Sequence, residues 1–218
     1  MREKLQSVEQ YLMETEPAIR NLFENLKPYY AILKKIKWPA FGSLNTSEEA
    51  CEAGFKKWQR KNRATYKRAS ERLREYLGYR ISIGTLCGSI LQIAYMGIVL
   101  FSKNRVVPPE FSSVIKAGSK DARFCIGRRA REVPIGLIIY AGRNQYNHMD
   151  ERNLKLLNTF IFDILATNHG IKRAQKIKDP AFDLCNKTIE IYSANVLSIL
   201  GWDSYDGYIA DMKGLLTP

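Results

Sequence analysis

The residues best suited to chemistry are a histidine and an arginine that lie close together. The chain has two histidines, His148 and His169, and His148 follows Arg143 by five positions in the run Arg-Asn-Gln-Tyr-Asn-His. An imidazole ionises near neutral pH and can transfer a proton. A guanidinium donates two parallel hydrogen bonds to phosphate oxygens, and Asn144, directly after Arg143, can orient a phosphate or the imidazole. This combination favours chemistry at phosphorus.

RNA suits such a pair because it carries its own nucleophile, the 2′-hydroxyl. The enzyme then has only to move two protons and to stabilise the charge that develops on phosphorus. His148 and Asp150 have no third ligand near them, so we expect neither a metal nor a cofactor. The four cysteines are widely spaced without a C-x-x-C pair, as in free thiols of a reducing cytoplasm: Cys51, Cys87, Cys125 and Cys185.

Apolar residues recur at helical spacing along the chain, and no run of useful length has the period of a strand. The pattern therefore predicts an all-α bundle of six or seven helices. Helices are expected over residues 4–36, 46–77 and 81–101, from Pro134 through the apolar residues up to Ile139, over 150–169 and over 181–200, with a short docked helix in the tail. Thr46 and Glu49 form a capping box for the second of these, and Gly170 is expected to end the fifth.

The first helix suggests a division of the chain into an N-terminal arm, residues 1–45, and a helical body, residues 46–218. The arm carries a heptad-spaced apolar seam that Pro17 and Pro28 interrupt, so we expect kinks there. Two interpretations stay open. The arm packs on its own body, or it pairs with a second copy of the chain.

The charge balance points to a polyanionic partner. Lys and Arg number 34 against 22 for Asp and Glu, which gives a net charge of +12. One basic run contains no acid and is predicted to face RNA phosphates: Lys56, Lys57, Arg60, Lys61, Arg63, Lys67 and Arg68. Arg128 and Arg129 are predicted to assist. The alternative is an ordinary solvated helix face.

Residues 81–101 contain no charged side chain. Their length would span a membrane, yet Ser82, Gln92 and Tyr95 are polar, and an all-round apolar helix is also typical of a bundle core. We favour the core helix, without a membrane partner, and keep the membrane span as the alternative. The N-terminus shows no apolar signal region, so a cytoplasmic protein is expected.

The Arg143–His148 run, with Asn after the arginine and an uncharged helix upstream, resembles the R-x(4–6)-H motif of HEPN-family helical ribonucleases. The resemblance covers about residues 80–170. It implies a metal-independent endoribonuclease that acts as a homodimer, in which two motifs share one cleft, and whose products carry a 2′,3′-cyclic phosphate. Many such proteins are toxins or phage-defence effectors, some with an antitoxin or regulatory protein as partner. Members without activity also exist, so a non-catalytic RNA- or protein-binding module is the alternative.

Three further residues are expected to support the site. Glu132 lies beside the basic loop before the motif helix and is the candidate acid. Asp150 is expected to cap the next helix, whose amino terminus would favour a phosphate near His148. Tyr146 can stack on a base. The competing interpretations are a structural ion pair of Arg143 with Glu132, Asp150 or Glu151, and a capped surface or interface histidine at His148.

Overall fold

The expected all-α fold is confirmed in the computed structural model, which describes residues 7–42, 44, 47–149, 154–167 and 178–217. The described residues form seven α-helices: α1 (Val8–Lys34), α2 (Glu48–Gly78), α3 (Arg80–Phe101), α4 (Ile135–Asn147), α5 (Leu156–Thr167), α6 (Ser193–Leu200) and α7 (Tyr205–Leu216). Two short 3₁₀ helices, Pro109–Phe111 and Asp121–Phe124, lie between α3 and α4. A two-stranded antiparallel hairpin, β1 (Arg129–Ala130) and β2 (Val133–Pro134), leads directly into α4.

The chain separates into two compact units, and the boundary differs from the expected one at residue 45. The larger unit comprises Met1–Asn25 and Ser82–Pro218, and the smaller unit comprises Leu26–Ile81. The first half of α1 therefore belongs to the larger unit. Tyr11 of α1 packs against Phe101 with ring centroids 5.7 Å apart, and its hydroxyl donates to the Ile93 carbonyl at 2.5 Å. This half of the predicted arm packs on its own body.

The uncharged helix is a core helix of the larger unit. Nine residues of α3 are buried, and three glycines on it admit close neighbours. A Cβ on Gly84 would lie 2.7 Å from Ile191, and one on Gly97 would lie 2.9 Å from Tyr11. Among the described residues α3 is the one helix long and apolar enough to cross a membrane, and half of its apolar window is buried inside the fold.

Helix α4 packs against α5 and α6, and all eight of its residues from Ile135 to Gly142 are buried. Gly142 allows this arrangement, since a Cβ there would come within 2.8 Å of Val196 on α6 and 3.2 Å of Leu91 on α3. The polar residues that follow Gly142 therefore emerge from the end of a fully buried helix.

The kinks expected at Pro17 and Pro28 do not divide the first helix, because α1 continues through both prolines for 27 residues. Each proline removes the amide that would otherwise donate to the carbonyl four residues earlier. Those carbonyls belong to Met13 and Glu24, which are both exposed, so water can satisfy them.

Two other expected helix boundaries are wrong. Helix α2 is capped by Ser47, whose hydroxyl accepts from the Ala50 amide, and Thr46 lies outside the described residues. Helix α5 begins at Leu156 and not near residue 150, since residues 154 and 155 are not helical. Asp150, His169 and Gly170 lie outside the described residues.

The helix expected over residues 181–200 is confined to Ser193–Leu200. The segment before it is a series of turns in which a side-chain oxygen accepts from the amide two residues later. Asp179 accepts from Ala181 at 2.9 Å, Asp183 from Cys185 at 3.1 Å, and Asn186 from Thr188 at 3.1 Å. Such bonds compete with helical ones, which explains the late start of α6.

Gly136 provides a test of this packing. A Cβ there would lie 2.4 Å from the Phe124 carbonyl oxygen, which is backbone and cannot move easily. We expect Gly136→Ala to lower the free energy of unfolding by about 1–3 kcal/mol in denaturant titrations. The matched control is Gly214→Ala in α7, where nothing lies within 4 Å. It should be neutral or stabilise by up to about 1 kcal/mol. Equal unfolding midpoints for the two variants would contradict the packing.

Candidate functional site

The end of α4 brings the three predicted catalytic residues together. Arg143 and Asn144 lie in the last turns of the helix, and His148 is its C-cap, with its backbone amide donating to the Asn144 carbonyl at 3.1 Å. All three line one cavity of about 340 Å³. His148 thus sits at the carboxyl end of α4, and it shares the cavity with Leu154, Lys155 and Asn158 at the amino-terminal end of α5.

Arg143 is held by groups from α3 as well as from its own helix. Its Nε donates to Gln92 Oε1 at 2.7 Å, and its Nη1 donates to Asn144 Oδ1 at 2.9 Å. The guanidinium carbon lies 4.6 Å from the centre of the Tyr95 ring. Among the residues that the structure describes, no acid takes part in these contacts, so the expected ion pair with Glu132 is not what holds Arg143, and Asp150 and Glu151 lie outside those residues. A guanidinium fixed in this way keeps its full charge for a ligand in the cavity.

Asn144 connects the arginine to a second group of polar residues. It is 7% exposed, and its Nδ2 faces Oδ1 of Asn158, itself 2% exposed, at 3.5 Å. It also interacts with the hydroxyl of Tyr140, which in turn interacts with the carboxylate of Asp121. Burial, and then the negative charge of Asp121, raise the pKa of Tyr140 to about 12. Tyr140 is therefore a protonated hydrogen-bond donor at neutral pH.

The cavity is rich in positive charge and has an aromatic wall. Asp121 is the acid among the described residues of its lining. Four cations also line it: Lys120, Arg123, Arg143 and Lys155. Tyr95, Phe124 and Tyr140 form the wall, with Tyr95 and Phe124 stacked at 4.9 Å and Phe124 and Tyr140 edge to face at 5.0 Å. Its volume lies at the lower end of the range for small-ligand pockets. A phosphate group with an attached ring is the kind of ligand that this lining suits.

The three residues expected to support the site differ in where they lie. Glu132 is exposed and does not line the cavity; it occupies the hairpin turn with φ of 68°, where its carbonyl accepts from Arg129. Tyr146 packs on α3, because a Cβ on Gly88 would lie 2.5 Å from its ring, so its structural role is clear. Asp150 lies outside the described residues.

The two assisting arginines are occupied in structural contacts. Arg128 forms a two-point ion pair with Asp211 at 2.9 and 2.7 Å, and Asp211 also accepts from the Trp202 indole at 2.8 Å. Arg129 pairs with Glu110 and with the Glu132 carbonyl. We therefore do not include Arg128 or Arg129 in a ligand site.

All seven predicted RNA-contacting residues of α2 are exposed and belong to the smaller unit. Lys56 pairs with Glu52 at 2.8 Å and Lys67 with Glu71 at 3.8 Å, both between exposed side chains one turn apart. Such surface pairs contribute little to stability and are easily exchanged for another anion.

Sequence reasoning missed Asp121, Tyr140 and Gln92 as members of the site. Tyr140 lies in the apolar run of the motif helix, and Asp121 lies 22 positions before Arg143 in a region without helical period. The available signal was the polarity of Gln92 within an otherwise apolar helix. A buried polar side chain needs a partner, and a cation one helix away is a natural one.

No group of three or more metal-ligating side chains occurs in the part of the chain that the structure describes. No family model, curated protein or solved structure matches the chain.

Tyr140 provides a test of the buried network through pH. Because its pKa is raised above the ordinary value of about 10, the folded chain holds this proton more tightly than the unfolded chain. Its contribution to stability is full below pH 10 and is lost as the pH rises toward 12. We expect the unfolding free energy of wild type to fall more steeply than that of Tyr140→Phe, by about 1 kcal/mol per pH unit near pH 11. The exposed variant Tyr66→Phe is the control and should follow wild type. Identical slopes for Tyr140→Phe and wild type would contradict the assignment.

Proposed function

We propose that this protein is a metal-independent endoribonuclease of the HEPN type, with Arg143, Asn144 and His148 at its centre. The observation that supports this best is the shared cavity. The motif residues come from the end of one buried helix and line a pocket together with three further cations. Such a lining suits a polyanion whose phosphate enters the pocket.

The reaction is an intramolecular displacement. The 2′-oxygen of a ribose attacks the adjacent phosphorus, the bond from phosphorus to the 5′-oxygen breaks, and a 2′,3′-cyclic phosphate and a 5′-hydroxyl result. One proton leaves the 2′-hydroxyl and another reaches the 5′-oxygen. His148 carries one of these protons. Arg143 binds the non-bridging oxygens and stabilises the charge of the transition state, and Asn144 and Gln92 fix its orientation.

One motif histidine per chain leaves the second proton without a carrier in the same copy. We propose that two copies place their motifs across one cleft, so that the partner copy supplies the second imidazole. An antitoxin or regulatory protein that covers this cleft would control activity, and a role as a toxin or phage-defence effector in the cytoplasm would follow.

Cleavage with and without His148 tests the proposal. Purified wild type should cut RNA in excess EDTA and leave cyclic phosphate ends. His148→Ala should lose activity by about 10²- to 10⁴-fold, which is the usual contribution of a proton-transfer group. His169→Ala, the other histidine of the chain, is the matched control and should retain activity. Wild type that binds several RNAs and cuts none would contradict the enzyme and favour the non-catalytic binding module.

Variants of Asp121 and Glu132 distinguish the acid that lines the cavity from the acid that the sequence predicts for the site. Asp121 acts as a positioning residue through Tyr140 and Asn144, so Asp121→Asn should lower kcat about tenfold or more and change KM little. The pH profile of kcat should also shift, because a charge beside the network is removed. Glu132→Gln removes an equal charge from the exposed hairpin turn and should behave as wild type. A larger effect at Glu132 would reverse this assignment.

A further inference from the structure

The smaller unit carries most of the net positive charge of the protein. Residues 26–81 contain 14 Lys and Arg against five Asp and Glu, which gives +9 of the total +12. The rest of the chain is therefore only weakly basic. A charge concentrated on one unit of 56 residues attracts a polyanion to that unit in particular.

The cations of α2 form two stripes along the helix. Helical spacing places Lys56, Arg60, Arg63 and Lys67 along one stripe, and Lys57, Lys61 and Arg68 along a second stripe beside it. Among the described residues the ion pairs of this run are those of Lys56 and Lys67. The remaining five cations repel one another unless an anion lies between them.

Aromatic side chains occupy the remaining face of α2, which one stripe borders on each edge. Phe55, Trp58 and Tyr66 share this face by their spacing, and the segment before α2 runs back along it. Trp38 contacts Tyr66 with ring centroids 5.1 Å apart, and Phe41 lies 5.2 Å from Phe55 and 5.6 Å from Trp58. These five rings form what we call the aromatic platform.

Much of the aromatic platform is open to solvent. Tyr66 is 55% exposed, Trp38 46% and Phe55 40%, although large aromatic side chains are usually among the most buried. Exposed rings with flanking cations are the arrangement with which proteins bind single-stranded nucleic acid. Bases stack on the rings while the cations follow the phosphates.

We infer that the aromatic platform of the smaller unit is a binding site for single-stranded RNA. A paired helix hides its base faces within the stack, so it can engage the cations but not the rings. The platform therefore selects unpaired RNA over duplex RNA. The inference rests on the proposed function only in taking RNA, rather than DNA, as the natural polymer.

Binding is measured with the full-length protein and 2′-O-methyl RNA oligonucleotides, which lack the nucleophile and cannot be cut. Two of the three tryptophans, Trp38 and Trp58, belong to the platform, and Trp202 is buried in the larger unit. Stacking of bases on the platform is therefore measured as quenching of tryptophan fluorescence. We expect quenching by single strands and at least tenfold weaker binding of a duplex of equal length.

Two kinds of variant separate stacking from charge. Trp38→Leu and Tyr66→Leu should each weaken single-strand binding about five- to twentyfold without changing its salt dependence. Arg63→Gln should lower the slope of log affinity against log salt by about 0.7, which corresponds to one phosphate contact on a single strand. The matched aromatic control is Tyr79→Leu, which is 41% exposed and pairs with Tyr29 away from the platform. It should bind as wild type.

Equal affinity for duplex and single strand would overturn the inference, as would wild-type affinity in both Trp38→Leu and Tyr66→Leu. Tighter binding of poly-glutamate than of RNA would also overturn it, in favour of an acidic protein. Circular dichroism verifies that each variant is folded, and the two leucine variants remove different rings. Because 2′-O-methyl RNA is not cleaved, the result is independent of His148. Platform binding without any cleavage of ordinary RNA would contradict the proposed function alone.

Discussion

The polar last turns of α4 are the constraint on which the site depends. The helix is buried for its first eight residues and then carries Arg143, Asn144 and Gln145, of which the last two are 7% and 5% exposed. Buried amides must form hydrogen bonds, or each costs about 1–3 kcal/mol. Three other parts of the chain supply the partners. Arg143 donates to Gln92 on α3, and Asn144 faces Asn158 on α5. Gln145 donates to the Glu190 carbonyl and accepts from the Tyr192 amide.

This constraint explains why a cationic cavity lies at that end of the helix. The bonds to Gln92 and Asn144 fix the orientation of Arg143 without neutralising it, and the chain then leaves α4 at His148. Asp121 reaches the same network through the Tyr140 hydroxyl. The charge that would draw a polyanion toward the protein is concentrated elsewhere, on the smaller unit. The proposed capture of a strand and the proposed chemistry on it thus involve different parts of the chain.

Much of the fold was predictable because helical period and apolar runs are local signals. The core helix α3, the docked tail helix α7 and the grouping of Arg143, Asn144 and His148 followed from them. The failures have specific causes. Exposure of Met13 and Glu24 lets α1 continue past two prolines, and successive Asp and Asn turns delay α6. Asp121 was missed because its interaction with Tyr140 crosses an irregular segment and a hairpin, which leave no periodic signal.

The central claim is that the substrate supplies the nucleophile at the Arg143–His148 site. The most direct measurement uses an RNA with a mapped cut site and a matched oligonucleotide in which the ribose 5′ to that cut is replaced by 2′-deoxyribose. The claim predicts that cleavage at this position disappears while neighbouring sites are still cut, leaving 2′,3′-cyclic phosphate ends. Cleavage that persists at the deoxyribose would show that water or a protein group attacks phosphorus, and it would contradict the claim.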